Sequence, residues 1–274
     1  MDSQRTAQRR TVGEHRSMID ILARGLSDDP RRRGDRLGAI ETERTACHAD
    51  MVAELAVGLE LPEKSRPQSA AEEFANAVSH GVGTLLLLVA APILIVRAVA
   101  VGDPAFIAGV SVFVGTGVFI YLASTLYHAW PAGPTKRVFR VLDHAGIYLF
   151  IAGTYTPFTL GVLRGPEGWL LFGVVWAFAG AGVVQKMFGR WSPEWLSTSL
   201  YVALGWIVLS ALDLLIARLP AEGLAWLVAG GIAYTSGVVF FAFDERLRYG
   251  HFVWHLFVLL GTFCHVVAVY RYGA

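Results

Sequence analysis

The stretch YGHFVWHLFVLLGTFCH, residues 249–265, joins a pair of histidines to a long apolar run. His251 and His255 are four residues apart, so on an α-helix they lie on the same face. The apolar run is long enough to enter a membrane, where a polar group without a partner costs free energy. A pair of imidazoles at the start of such a segment therefore requires a partner.

The charged residues are concentrated near the N-terminus. Only 16% of the 274 residues are charged and 54% are hydrophobic, whereas roughly a quarter of the residues in soluble domains are charged. Residues 1–73 contain 12 of the 23 Lys and Arg residues and 14 of the 22 Asp and Glu residues. The composition therefore predicts a charged tail, residues 1–70, followed by an integral membrane domain, residues 71–274.

The predicted tail has dense mixed charge and lacks the apolar core of a secretory signal peptide. We expect it to be solvated and partly disordered. MIDILARGL (18–26) and DMVAELAVGL (50–59) are candidate amphipathic helices on a membrane surface, and Met18 and Met51 are alternative starts. The two cysteines lie one in each region, so no disulfide framework is predicted.

Seven apolar runs follow the tail, each close to the ~20 residues that a helix needs to cross the hydrocarbon core. The breaks between them contain the Gly, Pro and charged residues that are typical of turns. The runs are continuous rather than alternating, which favours helices over a closed barrel. The sequence therefore predicts an all-α bundle of seven transmembrane helices, at 78–100, 106–129, 141–162, 168–187, 196–217, 222–242 and 251–272.

The basic residues between these runs predict an orientation. If the tail is cytosolic, the inner loops carry seven Lys and Arg residues and the outer positions carry four. Cytoplasmic loops are enriched in Lys and Arg. We therefore expect a cytosolic N-terminus and an external C-terminus, with these residues inside: Lys136, Arg137, Arg140, Lys186, Arg190, Arg246 and Arg248.

Titratable residues from separate helices are predicted to meet at the cytosolic face. His128 ends the second span, and His251 and His255 begin the seventh, at similar depth. Three neutral imidazoles suit zinc and leave a fourth position for water. We therefore expect these three histidines to bind Zn²⁺.

Asp143 and Ser124 complete the predicted site. Asp143 begins the third span and is the carboxylate available at this depth; beside a metal-activated water it could orient that water and accept its proton. Ser124 stands one turn before the histidine of span two, suited to supporting that ligand or polarising a substrate carbonyl. His144 and His265 are expected to be structural, since His265 lies about 15 Å along the axis from the pair.

Four motifs occur in a fixed order: EEFANAVSHGVG (72–83), STLYHAW (124–130), LDHAGIYLFIAGTYTPF (142–158) and HFVWHLFVLLGTFCH (251–265). In this order they resemble the bacterial hemolysin III family, which is related to the progestin and adiponectin receptors and, more distantly, to the alkaline ceramidases. The resemblance covers about residues 70–274. It implies a protein of the bacterial inner, or plasma, membrane.

The resemblance also implies a set of site residues. In the receptor relatives three such histidines hold zinc on the cytosolic side, and an aspartate contacts the metal-bound water. No position departs from the family's motifs, so the site is expected to be intact. The motifs fall on Glu73, Asn76, Ser79, His80, Ser124, His128, Asp143, His251 and His255.

Three classes of function follow from these observations. The ceramidase relatives imply a zinc-dependent membrane hydrolase of lipid amides, and we favour this class. The family name records a cytolytic, pore-forming assignment, but the spans are apolar almost all round and lack the polar stripe of a lumen. A receptor-like sensor with structural zinc is the third class, although structural zinc usually has four protein ligands. Membrane lipids are the expected partners, and nucleic acid is not.

Overall fold

The computed structural model describes residues 39–47, 50, 66–188 and 194–274. The chain divides into two units, Met1–Glu54 and Leu55–Ala274. In the first unit residues 39–47 are helical, within the region predicted as a tail. The two candidate surface helices lie outside the described residues, apart from Asp50, which is helical.

The second unit is built from helices, and no strand occurs among its described residues. We number the α-helices α1 to α8 in chain order. Between α5 and α6 the chain forms a short 3₁₀ helix, Ile207–Ala211. The α-helices are α1 Ala70–Val101, α2 Pro104–Ala129, α3 Pro134–Leu160, α4 Pro166–Phe188, α5 Glu194–Trp206, α6 Leu212–Arg218, α7 Ala221–Ala242 and α8 Gly250–Tyr272.

Six helical segments in the described residues are long and apolar enough to cross a membrane. Their outer faces expose large apolar side chains such as Leu85, Leu86 and Val89 of α1, as expected for surfaces that contact lipid. The protein is therefore an all-α integral membrane protein. The six segments are Ala70–Val101, Pro104–Ala129, Pro166–Phe188, Trp195–Arg218, Ala221–Ala242 and Gly250–Tyr272.

The predicted third span differs from the other six. It corresponds to α3, which has 27 residues but begins with Lys136, Arg137, Arg140 and Asp143 and is not among the six apolar segments. Most of α3 from residue 141 onward is buried. It packs against α2, α4, α5 and α8. Because α3 is surrounded by other helices rather than lipid, it tolerates polar side chains.

The helices pack so that four helix ends meet. Helices α1 to α4 pack each against the next, α7 packs against α8, and α8 packs against α1. The beginnings of α1, α3 and α8 therefore lie at the same end of the bundle as the end of α2.

At the opposite end of the bundle, the Arg164 guanidinium binds the Asp103 carboxylate at 2.8 Å and holds the pKa of that carboxyl below its usual range.

The first helix begins eight residues earlier than the hydropathy of the sequence predicts. Ser69 caps it by accepting a hydrogen bond from the amide of Glu72, and the Glu72 carboxylate accepts one in return from the amide of Ser69. This capping box fixes the first turn. The polar residues of that turn lower the local hydropathy, which is why the apolar pattern alone places the start at residue 78.

A close approach of backbones joins α2 to α3. A Cβ atom on Gly109 would lie 2.8 Å from the Cα atom of Pro157 and 3.0 Å from the carbonyl oxygen of Thr156. Such atoms cannot move aside as a flexible side chain can. Gly115, on the same helix, is exposed and has nothing within 4 Å of its Cβ position.

We therefore expect Gly109→Ala to lower the free energy of unfolding by about 1–3 kcal/mol, the typical cost of overpacking. Gly115→Ala should leave it unchanged or slightly raised, because alanine favours helix. Thermal unfolding of the two variants in the same detergent provides the measurement. Equal unfolding midpoints would show that α2 and α3 are not in close contact at Gly109.

Candidate metal centre

Three buried histidines form a cluster at the end of the bundle where α1, α2, α3 and α8 meet. His128 comes from α2, and His251 and His255 come from adjacent turns of α8. Their ring centroids are separated by 5.0 Å (His128–His251), 5.2 Å (His128–His255) and 4.7 Å (His251–His255). Each offers one nitrogen to a group of possible ligand atoms that all lie within 4.8 Å of one another. The cluster could therefore hold a metal ion.

The imidazole of His128 is held by a carboxylate of α1. Its Nδ1 atom lies 2.6 Å from Oε2 of Glu73. The other carboxylate oxygen of Glu73 binds Nζ of Lys136 at 2.9 Å. A carboxylate that accepts the Nδ1 proton fixes the ring orientation and leaves the Nε2 lone pair for a metal.

The imidazole of His251 is held in the same way from a different element. Its Nδ1 atom lies 2.8 Å from Oδ2 of Asp244, in the loop between α7 and α8. The side chain of Asp244 is 4% exposed. This pair again leaves Nε2 as the nitrogen that can bind a metal.

His255 is held by polar groups of α1 that carry no charge. Ser79 donates its hydroxyl proton to the carbonyl oxygen of Asn76 at 2.8 Å, so its oxygen is left to accept. Nδ1 of His255 lies 2.9 Å from that oxygen and 3.3 Å from the Asn76 carbonyl oxygen. Both partners accept, so Nδ1 of His255 carries the proton and Nε2 carries the lone pair.

Several buried polar atoms around this cluster have no hydrogen-bond partner among the described residues. Nε2 of His128 is one of them, as are both ring nitrogens of His80 and Oγ of Ser124. His80 stacks on His255 with a centroid distance of 3.5 Å. An unsatisfied buried polar group costs about 1–3 kcal/mol. The orphaned Nε2 atom and the three neutral imidazoles therefore fit a bound metal ion.

An apolar cavity of about 230 Å³ reaches this end of the bundle. It extends from the two α8 histidines towards Leu163, Leu215 and Leu224 near the opposite end. Most residues that line it are apolar or aromatic. Such a cavity suits an acyl chain better than a column of water.

The structure brings together the residues that the sequence assigns to the site. His128, His251 and His255 form the cluster, while Ser124, Asp143 and the two α8 histidines line the apolar cavity. Asp143 is the one acidic or basic residue, apart from histidines, in the described lining of that cavity.

The two histidines expected to be structural lie outside the cluster. His144 bonds through Nδ1 to the carbonyl oxygen of Arg140 at 2.7 Å. His265 is half-buried and packs against Tyr234, with a distance of 5.4 Å between the ring centroids. Both nevertheless line the cavity, so they border the space that a ligand would occupy.

Asp244 is a site residue that the sequence analysis missed. The expectation that Asp143 is the available carboxylate was incomplete, because Asp244 and Glu73 also lie at the site and contact imidazoles. Asp244 lies in the loop before α8, so helical spacing from His251 could not be used to predict the contact. The available signal was chemical: a metal-binding histidine usually donates its second nitrogen to a carboxylate, and Asp244 precedes His251 by seven residues.

Comparison with known proteins identifies relatives that share most of the membrane unit. The family described as haemolysin-III related matches residues 68–266. "Hemolysin-3" of Bacillus cereus is 41% identical over 191 residues, 70% of this chain and 87% of that protein. "Hemolysin-3 homolog" of Bacillus subtilis (strain 168) is 39% identical over 191 residues, 70% of this chain and 89% of that protein.

A human protein is also similar. "Monocyte to macrophage differentiation factor" is 28% identical over 165 residues, which cover 56% of this chain and 65% of that protein.

We predict that the purified protein binds about one metal ion per chain, and that the double variant His251→Ala/His255→Ala loses it, because only one imidazole of the cluster remains. His265→Ala serves as the matched control, since it removes a half-buried histidine from the same helix outside the cluster. Elemental analysis of the wild type, the double variant and the control measures the metal content of each. Equal metal content in the double variant and the wild type would rule out this site.

Proposed function

This chain belongs to the haemolysin-III-related family, and we propose that it is a zinc-dependent hydrolase of lipid amides. The observation that carries the proposal is the position of the histidine cluster beside an apolar cavity that also contains Asp143 and Ser124. A lipid amide has an apolar chain for the cavity and a polar, hydrolysable group for the cluster.

Zinc is the metal that this set of donors fits best. Three neutral imidazoles whose second ring nitrogens are hydrogen-bonded to carboxylates or other oxygen atoms are typical of catalytic zinc sites. Such sites keep a fourth position open. His128, His251 and His255 would hold the ion. When bound, zinc lowers the pKa of a coordinated water towards neutrality and polarises a carbonyl group.

The chain's own residues supply the remaining functions. Asp143 is buried and lines the cavity, so its carboxylate is suited to orient a water and accept its proton at Oδ. The buried hydroxyl of Ser124 bonds to no other residue in the described part of the chain, so it is available to donate to a substrate carbonyl oxygen. The apolar walls position the acyl chain and exclude bulk water from the reacting group.

The two alternative classes have less support. A pore needs a polar lumen, and the cavity of this bundle has mainly apolar walls. A sensor with structural zinc normally has four protein ligands. The cluster found in the described residues has three.

We also propose that α3 spans the membrane as a seventh helix, with the histidine cluster on the cytosolic side of the bacterial plasma membrane. Its 27 residues exceed the length needed to cross, and its polar residues from Asp143 to Thr159 are buried. An odd number of spans, combined with the excess of Lys and Arg on the loops at the cluster end, gives a cytosolic N-terminus and an external C-terminus.

A reporter that is active only outside the cytosol tests this topology. We expect activity when it is fused after Ala274 and none when it is inserted after Gly133, in the loop between α2 and α3. The reverse pattern would place the histidine cluster on the outer face. Activity at neither or both positions would contradict an odd number of spans.

Asp143→Asn tests the chemistry. We expect this variant to retain its metal, because the three imidazoles are unchanged, and to lose turnover by roughly 10²–10⁴-fold, the usual contribution of a general base. The measurement is release of fatty acid from amide-linked lipids such as ceramides by the purified protein in detergent. Asp213→Asn, which changes an exposed carboxylate, is the matched control and should turn over at the wild-type rate.

The rival classes give different results in the same experiment. Undiminished turnover in Asp143→Asn would exclude the proposed role of Asp143. Absence of turnover in a metal-loaded wild type would favour the sensor, and membrane lysis that survives removal of the metal would favour the pore.

A further inference from the structure

Arg66, which precedes the first helix, binds two separate parts of the membrane unit. Its Nη1 and Nη2 atoms donate to the two carboxylate oxygens of Glu72 at 3.0 and 2.8 Å. Its Nε donates to the carbonyl oxygen of Glu245 at 3.1 Å, and Nη2 also donates to that of Asp244 at 3.3 Å. One guanidinium therefore connects the start of α1 to the loop between α7 and α8.

The Glu72 carboxylate holds the other end of the same loop. It accepts a hydrogen bond from the backbone amide of Tyr249 at 2.9 Å, in addition to those from Arg66 and Ser69. Glu72 is only 3% exposed. The ion pair is bidentate, and one member is buried, so it is stronger and more directional than a surface pair.

The loop between α7 and α8, residues 243–249, contains Asp244, the hydrogen-bond partner of the proposed metal ligand His251. Asp244 lies near its start and binds His251, which is in the first turn of α8. The loop ends at Tyr249, the one residue other than glycine with a positive φ (61°) among the described residues. A left-handed conformation is unfavourable for tyrosine, so its backbone needs support from outside the loop.

We propose that the Arg66–Glu72 ion pair is a clasp that positions Asp244, and through it the His251 imidazole, for metal binding. The proposal rests on the metal centre of the proposed function. This clasp binds both ends of the loop. Arg66 donates to the Asp244 carbonyl oxygen, and Glu72 accepts from the Tyr249 amide. Arg66 is thus a positioning residue: its hydrogen bonds go to Glu72 and to the carbonyl oxygens of Asp244 and Glu245, and it acts on His251 through Asp244.

This role differs from simple capping of α1. Ser69 already caps α1, and its bonds to Glu72 do not involve Arg66. Replacing Arg66 therefore leaves the capping box in place and removes the contacts with the loop. A residue that only stabilised α1 would alter unfolding without altering the geometry of the metal site.

The test is the zinc affinity of the full-length protein in detergent, measured by competition with a chromophoric chelator. Loss of a carboxylate behind a metal-binding histidine typically weakens affinity by about 10–100-fold, and we expect this for Asp244→Asn. Arg66→Ala should weaken it by about tenfold. Arg66→Lys should fall between Arg66→Ala and the wild type, because lysine keeps the charge without the bidentate geometry.

Combining the two substitutions distinguishes positioning from general stabilisation. If Arg66 acts through Asp244, Arg66→Ala should have little further effect on zinc affinity in the Asp244→Asn protein. The visible absorption spectrum of bound Co²⁺, which reports the ligand arrangement, should differ between Arg66→Ala and the wild type. Arg164→Ala, which removes an Arg–Asp pair at the opposite end of the bundle, should keep the wild-type affinity and spectrum.

Three results would overturn the proposal: wild-type zinc affinity in Arg66→Ala, independent and additive effects of the two substitutions, or an equal loss of affinity in Arg164→Ala. If Arg66→Ala does not fold, the zinc affinity of Arg66→Lys is the test: an affinity equal to that of the wild type would overturn the proposal. A failure of the proposed function is distinguishable, since wild-type protein that binds zinc but hydrolyses no lipid leaves the clasp intact. Wild-type protein that binds no zinc removes the centre on which both depend.

Discussion

The hydrogen bonds to Nδ1 of the three clustered imidazoles are the constraint on which the rest of this structure depends. Inside a membrane protein a polar ring must find a partner within the protein, and here each partner comes from another segment. Helix α1 holds His128 through Glu73 and His255 through Ser79 and Asn76, while the α7–α8 loop holds His251. These bonds fix the rotation of α1 relative to α2 and α8, because a shift of one residue turns a helix by about 100°.

The same arrangement divides the interior into a polar end and an apolar end. The histidines, Asp143 and Ser124 lie where four helix ends meet, and the apolar cavity runs from there into the bundle. A molecule that fills this space therefore needs an apolar chain and a polar group at one end. This shape is the reason for proposing a lipid rather than a small soluble substrate.

Much of this architecture could be predicted from the sequence, and the exceptions have physical causes. Long apolar runs predicted six of the helices, and the i,i+4 spacing with matching depth predicted the three histidines. Hydropathy misplaced the start of α1 because its first turn is polar, although Glu72 is buried. The contact of Arg66 with the Asp244 carbonyl oxygen was not predicted because it spans 178 residues of sequence. The contact of Asp244 with His251 spans only seven residues, but it follows from the path of a loop, which has no periodic pattern. Lys136 was interpreted only as an orientation signal, whereas it binds Glu73.

X-ray absorption at the zinc edge of the purified full-length protein tests the central claim most directly. We expect one zinc bound by three imidazole nitrogens at about 2.0–2.1 Å and one oxygen, with no sulfur ligand. The double variant His251→Ala/His255→Ala should show no such zinc signal. Zinc with four protein ligands or with a sulfur ligand, or protein without zinc, would contradict the account.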